Sequence, residues 1–267
     1  GAASAVTRDG WIIEGDSKLI WPFARWLAAQ GRLGCLEVAY VPPDPAQPAI
    51  VKVNNREVAL HGWLLSSPWE LDGYCSILNV KNRLVLDVGA YVGDSAVLFA
   101  LMGARRVVAV EPSPWAYSIA RRNVEVNGLS GVITLVNCAV SREGGKTLML
   151  PSGETDTGFQ ATAALAGDVS VPTCTLDALI ERYGPFDVMK MDCEGCEHES
   201  IPYSRRVGEL EELLLEYHRG REDIMGRLRE AGFNIMFPRL NNGERLCCGS
   251  ASNQLGYIYA SRATNRI

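Results

Sequence analysis

The chain has 267 residues, 47% of them hydrophobic and 21% charged, which suits one large domain or an ordinary domain with an elaboration and excludes disordered, collagen-like and disulfide-stapled classes. A net charge of −5 argues mildly against a phosphate backbone as main partner, since nucleic-acid binders carry basic patches or stripes. A small or carbohydrate-like acceptor fits better. No apolar run approaches the roughly 18 to 20 residues needed to cross a bilayer, and the start GAASAVTRDG lacks a signal-peptide core, so no membrane partner and a cytoplasmic location are expected.

Residues 1–80 differ in character from the rest and are expected to form an accessory segment. Five of the six tryptophans lie there (Trp11, Trp21, Trp26, Trp63 and Trp69), and VPPDPAQPA at 41–49 punctuates it. These tryptophans are expected to form the core of a small accessory layer, with an aromatic cap over a site as the alternative. IVKVNNREVAL at 50–60 alternates Val51 and Val53, turns at Asn54-Asn55, and alternates Val58 and Leu60. That pattern predicts a β-hairpin.

From residue 81 onward strand-like and helix-like segments alternate. RLVLDVG (83–89) predicts a first strand, DSAVLFALMG (94–103) a helix capped by Asp94 and ended by Gly103, and RVVAVEP (106–112) a second strand. SPWAYSIARRNVEVNG carries Ser113 at the cap, Pro114 in the first turn and Asn127-Gly128 at the far end. VITLVNCAV (132–140) predicts a third strand. KTLMLP (146–151) and DVSVPTCT (168–175) predict two short strands around an inserted polar loop, and LDALIERYG (176–184) a helix. FDVMKMDCEG (186–195), ELLLEYHR (212–219), NIMFPRL (234–240) and LGYIYASR (255–262) supply strands four to seven, with a helix in REDIMGRLREAG. Strands apolar on both faces imply a Rossmann-like, doubly wound α/β domain over 81–267, its seven-stranded sheet mostly parallel, with an antiparallel pair at one edge. A ligand belongs at the carboxyl ends of the strands, near the switch point.

The loop after strand one reads Asp87-Val88-Gly89-Ala90-Tyr91-Val92-Gly93. A dinucleotide site wants glycine where the pyrophosphate approaches, and Tyr91 stands there instead, which makes NAD a poor fit. Glu111 closes strand two, held out of the next helix by Pro112, and is placed like an acid that grips ribose hydroxyls. S-adenosylmethionine has the matching parts: a ribose for Glu111, an ammonium for acidic or carbonyl groups, and a carboxylate for loop amides. An acid ending a strand can also simply cap the next turn.

The run DVGAYVGDSAVLFALMGARRVVAVEPSPWAYSIARRNVEVNG, followed by VNCAVS, VPTCTLDALI, FDVMKMDCEGCE and LLLEYHR, resembles the FkbM-type methyltransferases over residues 83–237. The resemblance implies a cofactor loop made of Asp87, Gly89, Ala90, Tyr91, Gly93 and Asp94, with Glu111 and Pro112 at the ribose. It also implies Asn137, Cys138 and Ala139 near the adenine and Asp192 at the methyl end. Tyr91 departs from the Asn usual in the family, which puts a side-chain hydrogen bond in doubt but not the backbone cradle. RNA-modifying relatives carry N-P-P or N-L-P where this chain has Asp192-Cys193-Glu194-Gly195-Cys196-Glu197.

Methyl transfer to a hydroxyl needs an aligned lone pair and a base. Asp192 or His218 is the expected base, with Glu194, Glu197 and Glu216 orienting the acceptor or a metal, while one of the first two glutamates merely caps locally. His198 is expected to be a solvated helix residue. Acids with water suit Mg²⁺, kept as an optional cofactor with no assigned ligands. Cys193 and Cys196 form a C-x-x-C, but the only other close pair is the vicinal Cys247-Cys248, and the resemblance implies small aliphatic residues at 193 and 196, so neither zinc nor redox chemistry is expected. Most of the eight cysteines are expected to be buried thiols in a reducing compartment. The expected activity is O-methylation of a small-molecule, sugar or glycan hydroxyl; a tRNA or rRNA methyltransferase, a non-catalytic cofactor-binding module and an NAD dehydrogenase are the alternatives.

Overall fold

The computed structural model describes residues 2–6, 12–16, 36–40, 46–62, 67–153, 167–238 and 255–262. Trp11, Trp21, Trp26, Trp63, the side chain of Trp69, the middle of the polar loop at 153–167 and the Cys247-Cys248 pair lie outside that description. So do Pro42 and Pro43 of the proline-rich run.

β1 (Ala2–Val6) and β2 (Ile12–Asp16) pair antiparallel. β3 (Leu36–Tyr40), β4 (Ala49–Val53) and β5 (Arg56–Leu60) form a three-stranded antiparallel sheet. The hairpin turn falls on Asn54 and Asn55, both at positive φ (50° and 64°), the geometry that a two-residue turn between twisted strands requires. Then come α1 (Ser67–Ile77), β6 (Leu84–Val88), α2 (Asp94–Leu101), β7 (Arg106–Val110), α3 (Pro114–Val126) and β8 (Ile133–Val136). β9 (Ala139–Val140), β10 (Thr147–Leu150) and β11 (Val169–Cys174) form a small side sheet. α4 (Leu176–Tyr183), β12 (Val188–Met191), α5 (Cys196–Ser200), β13 (Glu212–His218), α6 (Glu222–Glu230), β14 (Asn234–Met236) and β15 (Leu255–Ser261) complete the described elements.

The main sheet has seven strands in the order β14-β15-β13-β12-β6-β7-β8. Five of them are parallel, and β15 runs antiparallel between β13 and β14, so an antiparallel pair does end the sheet. Successive strand residues face opposite cores. Val85, Val107, Val188 and Leu214 join α1, α2 and the hairpin residues Val51, Val53, Val58 and Leu60 on one face. Leu86, Val108, Met189 and Leu213 join α4 and α6 on the other. Burial on both faces is why these strands read as unbroken apolar runs.

Three expected elements differ in extent. The third strand breaks at Asn137-Cys138, and its second half, β9, leaves the main sheet to pair parallel with β11. The fourth strand stops at Met191, because Glu194 (φ 55°) and Gly195 (φ 114°) turn the chain through a left-handed conformation no strand can hold. Gly93, not Asp94, occupies the cap of α2, and Asp94 is its first helical residue. Among the described residues no helix is long and apolar enough to cross a membrane.

Candidate active site

The sheet's direction of winding reverses between β6 and β12, and the crevice opens beyond their carboxyl ends. Gly89 has φ 75°, and a Cβ there would stand 1.7 Å from the Asp192 carbonyl oxygen, so the close approach of the two strand ends requires glycine. The amides of Gly89 and Ala90 both donate to the Val110 carbonyl at 3.0 Å. Tyr91 also sits at positive φ (46°), a conformation that Asn tolerates better than Tyr. The Tyr91 amide donates to Glu111 Oε2 at 2.8 Å, and its ring leans on Trp115 at 6.0 Å between centroids. At Gly93 a Cβ would meet Ala120 of α3 at 3.0 Å.

Asp87 is fully buried, with Oδ2 accepting from Ser95 Oγ at 2.6 Å. Its Oδ1 has no hydrogen-bond partner but lies 3.3 Å from Lys190 Nζ. Burial raises the Asp87 pKa, opposed by Lys190 and Ser95. Lys190 is itself buried and donates to the Gly89 carbonyl at 2.6 Å; burial disfavours its charge, yet Asp87, Asp192 and Asp94 carry its pKa above the ordinary lysine value. Lys190 was not singled out in the sequence, where it passes for a residue of an apolar strand. It is the countercharge that lets these acids share a small volume.

Glu111 is nearly fully buried at the end of β7. Its oxygens accept from the amides of Tyr91 and Ser113, at 2.8 and 2.7 Å. Burial pushes its pKa up to about 7 against those two hydrogen bonds. Asn137 donates to the carbonyls of Glu111 and Pro112 at 2.8 and 3.1 Å, so it braces the strand end. Beside it lies a small cleft that Gly89, Pro112, Cys138, Ala139 and Cys193 help to line. A buried carboxylate at Asp87 and an acid held by two amides at Glu111 fit the ammonium and the ribose of S-adenosylmethionine, while the amides of Gly89, Ala90 and Tyr91 are paired within the chain.

Of the residues expected on the acceptor side, Glu194, Glu197 and Glu216 gather around His218, whereas Asp192 is bound to Tyr74. Asp192 follows β12 and accepts from the Tyr74 hydroxyl at 2.7 Å through Oδ2. His218 ends β13, with Nδ1 3.0 Å from Glu197 Oε1, Nε2 3.2 Å from Glu194 Oε2, and Glu216 Oε2 4.0 Å away. Burial disfavours the imidazolium, but the hydrogen bonds and charges of Glu194 and Glu197 outweigh it and push the pKa up to about 10. Glu197 is completely buried; Oε2 accepts from the Gly195 amide (2.9 Å) and Oε1 from both the His218 amide (2.8 Å) and its ring. His198 is half-buried, not solvated: its Nε2–H donates to the His218 carbonyl, because α5 lies against the end of β13.

With Glu197 spent on the turn and on His218, the cluster does not fit Mg²⁺. Among the described residues no group of three or more His, Cys, Asp or Glu is arranged to hold a metal. The expectation of free thiols is corrected at five cysteines. Parallel pairing of β9 with β11 sets Cys138 and Cys174 at a Cα separation of 6.1 Å, and the left-handed turn at Glu194-Gly195 sets Cys193 and Cys196 at 5.5 Å; each pair is a disulfide. Cys75 is disulfide-bonded as well.

A mostly parallel sheet whose first strand runs into a glycine cradle, with an acid at the end of the second, defines a Rossmann-like nucleotide-cofactor site of methyltransferase type. The methyltransferase FkbM domain matches residues 87–234, more than half of the chain, and the protein belongs to that family. A ribosomal protein L11 methyltransferase from Carboxydothermus hydrogenoformans is 37% identical over 55 residues, 21% of this chain and 18% of that one. The chain thus matches less than a third of the length of such curated relatives. Among solved structures, the ribosomal protein L11 methylase from Lactobacillus delbrueckii subsp. bulgaricus superposes with a TM-score of 0.45 at 18% identity, covering 76% of this chain and 81% of that one. Precorrin-6y C5,15-methyltransferase from Geobacter metallireducens gives 0.44 at 12% identity, covering 71% and 84%.

Proposed function

We propose that the protein transfers the methyl group of S-adenosylmethionine to a hydroxyl of a small molecule, sugar or glycan. The observation that carries the cofactor reading is Glu111, buried at the strand end with each oxygen already fixed by one amide. Each oxygen keeps a lone pair for a hydroxyl donor, and two donors favour the ionised form against the burial that raises its pKa. Tyr91, where a dinucleotide loop has glycine, argues against NAD.

The cofactor supplies an electrophilic methyl carbon on a sulfonium. The chain would hold it against the turn of residues 89–93, with Asp87 toward its ammonium and Glu111 toward its ribose, while Pro112, Ala139 and the Cys193–Cys196 turn would exclude water. As the S–C bond broke and the methyl passed to the acceptor oxygen, releasing the neutral thioether, the hydroxyl proton would pass to Asp192. Of the two candidate bases, Asp192 is the one with an oxygen, Oδ1, that accepts no hydrogen bond from the described residues, its Oδ2 being held by Tyr74. An imidazolium pinned between Glu194 and Glu197 has no lone pair to offer until near pH 10. His218 and Glu197 then brace the acceptor mouth, leaving Glu194 and Glu216 to orient the hydroxyl.

The oxygen preference rests on the resemblance, on the absence of a proline-containing element at 192–197, and on the acidic charge balance. Calorimetric titration with S-adenosylhomocysteine beside NADH tests the cofactor. S-adenosylhomocysteine binds, NADH does not, and Glu111→Ala weakens the complex at least about tenfold, the scale of charged hydrogen bonds. Unchanged affinity in that variant sinks the assignment. A radiolabelled-methyl screen over hydroxyl compounds, glycans, RNA and ribosomal protein then reads the acceptor, and label in RNA or protein overturns the hydroxyl class.

A further inference from the structure

We infer that Tyr74, on α1 and outside the family-matched residues 87–234, is a positioning residue that aims the Asp192 carboxylate at the cationic end of the cofactor. The inference rests on the proposed function and adds to it a part for the segment preceding the family domain.

Leu71 and Tyr74, three apart on α1, and Leu78 just past its end are buried together, packed with Phe99 and Val97 in the core beneath the hairpin. That packing leaves Tyr74 3% exposed, with its ring 6.4 Å from that of Phe99. The ring is therefore locked by apolar neighbours, and its hydroxyl reaches the carboxyl end of β12, where it donates to Asp192 Oδ2 at 2.7 Å.

Asp192 needs such a fixture. The torsion that turns a carboxylate is soft, and a buried cation stands close by. Lys190 Nζ interacts electrostatically with Asp192 and lies 5.2 Å from the Tyr74 ring centroid. An Asp192 without its hydroxyl donor would be drawn toward Lys190 and away from the crevice. With Oδ2 held, Oδ1 accepts no hydrogen bond from the described residues, which leaves it for a ligand. Around the crevice, among the described residues, Asp87, Asp192 and Asp94 all act on one ammonium, that of Lys190. The unbalanced negative charge suits a ligand that is itself positive, and S-adenosylmethionine carries a sulfonium where S-adenosylhomocysteine carries a neutral thioether. Tyr74 thus favours the charged donor over the spent product.

A purely structural tyrosine predicts something different. It would lower thermal stability when truncated, because a buried acceptor loses its partner, yet would treat the two ligands alike. Calorimetry on the full chain separates the two cases. Tyr74→Phe keeps the ring and its packing. We expect its affinity for S-adenosylmethionine to fall about tenfold or more, the range of a hydrogen bond to a charged group, while affinity for S-adenosylhomocysteine stays within about twofold. Combined with Asp192→Asn, the loss should be no greater than in Asp192→Asn alone, since both changes act through one carboxylate. Equal effects on the two ligands, no effect on either, or additive losses in the double variant overturn the inference. A wild-type chain that binds neither ligand would instead overturn the site itself, and Tyr74's part with it, before any variant is compared.

Discussion

His218 is held by two carboxylates, and the consequence can be read as a pH dependence. Its folded pKa, about 10, lies above the unfolded value of 6.5. A group raised in this way contributes stability that is complete below about pH 6.5 and is lost as pH climbs through 10. The thermal midpoint is therefore expected to fall progressively between those limits. In His218→Leu the midpoint should already be low at neutral pH, by about 3–5 kcal/mol of stability, because Glu197 is left buried and charged without its partner. A wild-type midpoint flat over that interval would remove the case against His218 as base. The residue types and their nearness were legible in the sequence, since β12 and β13 are neighbouring strands. That Glu197 faces inward was not, because a five-residue helix offers too little periodicity to show which side is buried.

At the scale of elements, two devices hold the cofactor loop to its surroundings. Asn123 on α3 and Asn127 at its C-terminal cap zip the edge of β5: Asn123 exchanges hydrogen bonds with the His61 backbone at 2.8 and 3.0 Å and also donates to the Val92 carbonyl, while Asn127 exchanges a pair with the Ala59 backbone. The hairpin is thereby joined to the loop that carries Tyr91. The second device is covalent. Cys138–Cys174 closes a separation of 36 residues and Cys193–Cys196 one of only 3. Chain-entropy reasoning gives about 4 kcal/mol for the longer loop and about 2 kcal/mol for the shorter. Thermal melts of the paired serine variants under non-reducing conditions should place C138S/C174S below C193S/C196S, and a reductant should lower the wild-type midpoint. An unchanged wild-type midpoint on reduction, together with free thiols by alkylation, would remove the crosslinks. None of this was readable along the chain: spacing revealed a C-x-x-C, but the partner of Cys138 depends on β9 leaving the main sheet for β11.

For the molecule as a whole, the sheet was legible because strands buried on both faces announce themselves as apolar runs, and its cofactor end because a glycine cradle and a strand-ending acid leave a local signature. Tyr74 left none. It meets Asp192 across 118 residues of chain, and only the folded packing of α1 brings it there. The acceptor is the remaining whole-molecule question, and charge bears on it directly. With 31 acidic against 26 basic side chains, the chain has little with which to displace counterions from a polyanion. The energy of non-specific RNA binding is almost wholly that displacement. Bulk tRNA titrated against the protein by filter binding is therefore expected to show no saturable complex at about 150 mM salt. Any residual binding at low salt should have a shallow dependence, with fewer than about two phosphates neutralised. A saturable complex whose logarithmic affinity falls steeply with salt would mean that basic side chains gather on one face despite the acidic average. The acceptor would then be RNA, and the hydroxyl of a small molecule or glycan would have to be given up.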